Sequence, residues 1–351
     1  VQAGDRTAFR PLDELFPPPA AGDRSSTAPL AVEAGLTGAI VDVTSPERHV
    51  ICLTDGHGEW DLAGPEGESL LRGVLDGDAY EMRTLEPAGL AEGLERCAVT
   101  AIVGPSRGFL PREASALRSR LERGGRLLVL LDASVGVGGD ASKGLGTLLA
   151  RGGLEVGAAP ARETDPSRLY EPGVPTLGVV IASAVFEPAG DLAGQPVALL
   201  QAAGVRAISE ATRVLPVIES AESTVIDGWG GGALLGAAAE VGACEASTPD
   251  AREASALGSA PSTCGRIVVL GASSILFPPF ASRSQTANLA LVVSSIAWLA
   301  GRSTALPLAP VSAERVRLFL DAGTLHRLWW WLVVAMPVGA AVLTIDAALG
   351  R

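Results

Sequence analysis

The segment Ala98–Asp132 constrains the fold of this chain more than any other. AVTAIVGP (Ala98–Pro105) is apolar apart from Thr100 until its Gly-Pro stop. PREASALRSRLERGG (Pro111–Gly125) has helical periodicity, with proline in its first turn and two glycines at its end. RLLVLLD (Arg126–Asp132) is again an apolar run. A strand with one wet face alternates apolar and polar residues, whereas an unbroken apolar run needs cover on both faces, as in a parallel sheet. Strand, helix and strand at this spacing make a right-handed crossover. The predicted class is α/β, a mostly parallel sheet flanked by helices.

Other segments extend the pattern. HVICLTDG (His49–Gly56) reads as a short buried strand entering a glycine turn, and YEMRTLE (Tyr80–Glu86) as another strand. Between them ESLLRGVLDG (Glu68–Gly77) is predicted helical, with Leu70, Leu71, Val74 and Leu75 on one face. Lys143–Gly157 reads as a helix and then a strand. GVVIASAVFEP, PVALLQAAGVRAI and VLPVIESAEST add strands, and GRIVVLGASSILF (Gly265–Phe277) is a strand and a turn. TANLALVVSSIAWLAG (Thr286–Gly301) reads as a helix ending at its glycine. Residues 1–36 hold FPPPAAGDRSST and little periodicity, and are expected to form an irregular tether before an α/β domain over 37–310.

Leu328–Ile345 carries no charge and is about as long as a helix needs to cross a bilayer. Trp329, Trp330 and Trp331 open it, and tryptophan favours the headgroup level. Three consecutive residues point in different directions, so one core cannot receive all three rings. A transmembrane helix is predicted over 328–349, preceded by a juxtamembrane segment over 311–327. The chain begins at Val1 without an initiator Met or a signal-peptide pattern, so an upstream segment is expected. The net charge is −12 and no basic tract is present, which argues against nucleic acid as a partner.

The four cysteines, Cys52, Cys97, Cys244 and Cys264, lack metal-site spacing. Cys244 and Cys264 bracket a stretch rich in Ala, Ser and Pro. If the domain lies outside the cytoplasm, a disulfide between them would close that loop, worth roughly 3 kcal/mol in the chain-entropy model. The alternative is two free buried thiols.

Several segments together resemble the auxiliary component of an ABC-type transport system, the family that includes the gliding-motility protein GldG. LTDGHGEWDL (Leu53–Leu62) matches its strand and GHGE turn at Gly56, His57, Gly58 and Glu59. Ala101–Asp132 matches a strand ending in Gly-Pro, a helix beginning near Pro-x-Glu, then Gly-Gly and an apolar strand ending in Asp. GRIVVLGASSILF and NLALVVSSIAWLAGR match at Asn288, Trp298, Leu299 and Gly301, with Ala272 where the family usually has Asp. The resemblance runs from about His49 to the end, is weak in the middle, and includes a C-terminal span. It implies a flavodoxin- or glutamine-amidotransferase-like fold in the bacterial inner membrane, its soluble domain outside the cytoplasm. Membrane lipid, an ABC permease and its ATPase would be partners, with an envelope protein or glycan as a further one. The family is regarded as non-catalytic, and no cofactor or metal is implied.

The GHGE turn is the leading candidate site, because ligands of such folds bind at the carboxyl edge of the strands. His57 as a general base oriented by Glu59 is the enzymatic reading, and a glycine turn tied down by His57 and Glu59 is the structural one. Ser106 in GPSRG departs from the G-x-S-x-G nucleophile elbow, and Pro105 removes a backbone donor before it. Asp132, followed by a glycine-rich loop, is a candidate ligand contact or a loop hydrogen-bonding group. No Walker A sequence is present, so ATP hydrolysis is expected only in a partner. The expected role is a non-catalytic membrane-anchored subunit. The alternatives are an anchored hydrolase or amidotransferase-like enzyme, and a scaffold of a motility or secretion machine.

Overall fold

A computed structural model describes residues 2–3, 6–7, 39–40, 49–60, 62, 71, 75, 80–133, 140, 142–169, 173–174, 177–183, 186, 192–208, 213–229, 233–242, 264–277, 280, 286–301 and 330. The chain divides into two compact units, Val1–Pro310 and Val311–Arg351. Of the second unit only Trp330 is described, and it is exposed. The span expected over 328–349, with Trp329 and Trp331, otherwise lies outside the described residues. Among the described residues no helix is long and apolar enough to cross a membrane. The expected tether also lies mostly outside them, although Gln2–Ala3 and Arg6–Thr7 pair antiparallel.

Eleven strands of the described residues join one sheet. They are β1 (His49–Thr54), β2 (Tyr80–Leu85), β3 (Val99–Val103), β4 (Arg126–Leu130), β5 (Leu154–Pro160), β6 (Leu177–Ala182), β7 (Pro196–Leu200), β8 (Ala203–Ala207), β9 (Val214–Glu219), β10 (Leu234–Val241) and β11 (Gly265–Leu270). The order β2-β1-β3-β4-β11 is parallel throughout. Beyond β11 the sheet continues antiparallel as β10-β9-β6-β7, and β8 joins β10 to β5. The expected α/β class and mostly parallel central sheet hold. The antiparallel portion is inserted in sequence between β4 and β11.

Continuous apolar runs are explained by cover on both faces. Leu128 and Leu130 of β4 join one apolar cluster, with Val268 and Leu270 of β11 and Leu291, Val292 and Ile296 of helix α4 (Asn288–Leu299). Leu127, Val129 and Leu131 join the other, with Ile267 and Val269 of β11 and Leu117 and Leu121 of helix α2 (Pro111–Glu122). The two-residue period of a strand sends alternate side chains to α2 and to α4. The short helices α1 (Leu90–Gly93) and α3 (Gly146–Arg151) place Leu90, Leu148 and Leu149 in the α2 cluster. Of the helix expected over Glu68–Gly77, Leu71 and Leu75 are described, both helical and buried.

Two features were not anticipated. PVALLQAAGVRAI is two strands, β7 and β8, because the chain turns at Gln201, whose φ is 52°. The stretch LLGAAAEV is β10, which pairs with β8, β9 and β11. Alanine and glycine have low strand propensity, so burial among neighbouring strands decides this element.

The cysteines also differ from expectation. Cys52 on β1 and Cys97, just before β3, form a disulfide with Cα atoms 5.7 Å apart. Its 45-residue separation makes it worth about 4 kcal/mol in the chain-entropy model. Cys264 is disulfide-bonded too; Cys244 lies outside the described residues.

Candidate functional site

In the parallel half, strand order reverses between β1 and β3, the switch point at which doubly wound sheets open a crevice. The GHGE turn leaves β1 at this point, and Gly104–Gly108 leaves β3 beside it. Gly56 and Gly58 have φ of 97° and 71°, which favours glycine over residues carrying a Cβ. A Cβ on Gly58 would also collide with Ser106 Oγ. The turn therefore needs glycine at this position both for its backbone angle and for the approach of the neighbouring loop.

That approach is fixed by hydrogen bonds. Arg107 N donates to the His57 carbonyl at 2.8 Å, and Ser106 N to the Gly58 carbonyl at 3.3 Å. Ser106 Oγ also meets the His57 carbonyl, at 3.5 Å. Trp60 N donates to Val103 O at 3.0 Å. Ser106 is exposed and sits next to the GHGE turn, as expected, but its hydroxyl contacts the histidine backbone rather than the ring.

His57 itself is 6% exposed. Its Nδ1 lies 3.1 Å from Glu59 Oε1, and its Nε2 3.0 Å from Glu113 Oε2. The backbone N–H of His57 donates to Glu59 Oε2 at 2.6 Å. Phe109 covers the ring face, stacked with centroids 3.8 Å apart. Both ring nitrogens thus meet carboxylate oxygens. A neutral imidazole has one donor, so full satisfaction needs two ring N–H groups or a proton on one carboxyl. In either case no nitrogen is left to take a proton from a substrate.

Glu113 is supplied by the start of α2. Pro111 opens the helix and Glu113, at its third position, accepts from Leu110 N at 2.8 Å. Leu110 has no side-chain acceptor, so this is the glutamate half of a capping box. Burial pushes the Glu113 carboxyl up, but Leu110 N–H, the His57 ring and the charges of His57 and Arg112 outweigh it and hold it below its ordinary value. Phe109 is in turn held by its N–H to Lys143 O at 2.8 Å. Lys143 lies in a loop that Asp140 closes through Ser142 and Gly144.

Asp132 is placed elsewhere along the same edge, at the exit of β4. Its carboxylate accepts from Ser273 N at 2.7 Å and Ser273 Oγ at 2.6 Å. Ser273 begins the short 3-10 helix Ser273–Leu276, whose N-cap Ala272 has no side-chain acceptor. Asp132 therefore caps that turn from a neighbouring strand. The structure brings Gly56, His57, Gly58, Glu59 and Ser106 together, and ties Asp132 to the loop after β11 instead. Among the described residues no cluster suited to a metal ion occurs.

Sequence reasoning missed Glu113, Phe109 and Ser273. Glu113 alone left a signal, since Pro-x-Glu at a helix start marks a capping glutamate. Its contact with His57 spans 56 positions, which no local pattern reveals.

No family model matches this chain, and no curated protein matches it by sequence. Among solved structures it is similar to the mmIFT52 N-terminal domain, with a TM-score of 0.54 and 15% identity over 73% of this chain and 100% of that one. That likeness is one of fold alone. A GMP synthase subunit from Thermoplasma acidophilum gives a TM-score of 0.39 and 11% identity over 73% of this chain and 96% of that one. The exo-β-1,4-mannosidase Op5Man5 from Opitutaceae bacterium strain TAV5 gives 0.34 and 14% over 77% and 39%. Neither of these two supports an argument.

Proposed function

We propose that this chain is a non-catalytic auxiliary subunit of an ABC-type transport complex. On this reading the 328–349 segment holds it in a bacterial inner membrane beside permease helices. The flavodoxin-like α/β domain lies outside the cytoplasm and meets an envelope protein or glycan. ATP hydrolysis belongs to a partner protein.

The observation that carries the proposal is the filled switch point. Where a doubly wound enzyme leaves a crevice for its ligand, His57 is buried between Glu59 and Glu113 and under Phe109. A general base must come within hydrogen-bond reach of its substrate, and these contacts occupy both nitrogens. The GHGE turn is then a clamp that fixes the loops of β1 and β3 against α2, giving a rigid edge for docking. The Cys52–Cys97 disulfide supports an extracytoplasmic location, since such bonds persist mainly in oxidising compartments.

The test is purification of the full chain from its native membranes in mild detergent. A permease and an ATPase should co-purify in fixed ratio. Recovery of the chain without either contradicts the proposal.

A further inference from the structure

At the opposite edge of the sheet, two guanidinium groups lie side by side. Arg126 opens β4 and Arg266 is the second residue of β11, and the two are partners in the parallel register. Glu240 of β10 is the partner of Arg266 on its other side. Residues in register across a sheet project from one face, so Glu240, Arg266 and Arg126 form a row. Leu128 and Val268, two residues further along their strands, pack in the cluster that contains α4. The row therefore lies on the α4 face.

The charges in this row do not balance. Arg266 Nε donates to Glu240 Oε1 at 3.2 Å, and Arg266 Nη1 to the Trp298 carbonyl at 3.1 Å. The Arg266 guanidinium also covers the Trp298 ring, 4.7 Å from its centroid. Glu240 Oε2 faces Arg213 Nη1 at 3.9 Å. Three guanidinium groups thus surround one carboxylate. Among the described residues Arg126 forms no ion pair, and its Nη1 is buried without an acceptor. Burial, with Arg266 alongside and Arg120 further off, lowers the Arg126 group to about 10 against the pull of Glu240. It stays charged at neutral pH. Like charges in neighbouring strand positions destabilise a sheet, and a desolvated charge without a partner costs more.

We propose that Arg126, with Arg266 beside it, binds an oxyanion of the phosphate monoester class. Such a group carries up to two negative charges, which match the local excess of positive charge. A guanidinium presents paired N–H donors in the plane that phosphate oxygens accept. The carbonyl end of α4 does not oppose this, because its Trp298 carbonyl is occupied by Arg266. The group comes either from a free phosphate ester or from a lipid headgroup.

The experiment follows thermal unfolding of the full chain in nonionic detergent, with inorganic phosphate against chloride at matched ionic strength. Phosphate should raise the wild-type midpoint by about 2–4 °C, with no rise in Arg126→Gln. Arg126→Lys keeps the charge without the fork, and should lose at least about half of the rise. It serves as the comparison if Arg126→Gln does not fold. Dihexanoyl phosphatidic acid, below its micellar concentration, separates the two sources. A larger Arg126-dependent rise than with inorganic phosphate assigns the lipid headgroup, and an equal or smaller one the free ester. No rise in the wild type, or an undiminished rise in either variant, overturns the proposal.

Discussion

At the scale of single residues, His57 holds the most consequential position. It joins the turn after β1 to the start of α2 by meeting Glu59 and Glu113 with its two ring nitrogens. Replacing it with alanine leaves two buried carboxylates without their shared partner. Such a loss costs about 3–5 kcal/mol, and His57→Ala is expected to lower the denaturant midpoint accordingly. Glu113 adds a pH dependence. Its folded value lies below the ordinary 4.5, so it contributes stability that is complete above that pH and lost as pH falls through the depressed value. Glu113→Gln should therefore be less stable than wild type at neutral pH, and the difference should shrink below about pH 4.5. Chemical denaturation across pH 3–7, roughly the range over which carboxylates titrate, checks both. The GHGE residues were legible in the sequence because glycines flanking a histidine after an apolar strand announce a tight turn at a sheet edge. What the histidine does was not, since Glu113 and Phe109 reach it from a later helix and loop.

At the scale of elements, strand β7 ends the sheet and would expose a row of unpaired backbone groups. The chain covers this edge with side chains. Asn288, fully buried, accepts from Ala198 N at 2.9 Å and donates to Ala198 O at 2.8 Å. Ser274 Oγ does the same for Leu200, at 2.9 Å and 3.2 Å. Asn288 thus behaves as one residue of a neighbouring strand while opening helix α4. Asn288→Ala should cost about 2–4 kcal/mol, because several buried groups lose partners. It should also promote self-association through the freed edge, which light scattering during refolding measures. Helices α2 and α4 and strands β1 to β4 and β11 were legible from periodicity, apolar runs and end residues. Strand β10 was not, because LLGAAAEV owes its conformation to the strands on either side.

At the scale of the whole molecule, a parallel α/β half and an antiparallel half share one sheet, and the Cys52–Cys97 disulfide lies in the parallel half. A Cys52→Ser, Cys97→Ser double variant should lose about 4 kcal/mol if the chain-entropy model holds. Equilibrium unfolding of oxidised and variant protein measures it. This pairing escaped sequence reading because Cys52 and Cys97 meet only once β1 and β3 lie side by side. The class of fold was legible, since Ala98–Asp132 alone requires a parallel crossover. The long antiparallel insertion between β4 and β11 obscured how the sheet continues. The filled switch point is the central claim, and the reactivity of His57 toward diethyl pyrocarbonate tests it most directly. Peptide mapping of the folded protein should find His57 unmodified at neutral pH, and modified readily once guanidinium has unfolded the chain. Modification of His57 in the folded protein at the rate of a free imidazole would contradict it.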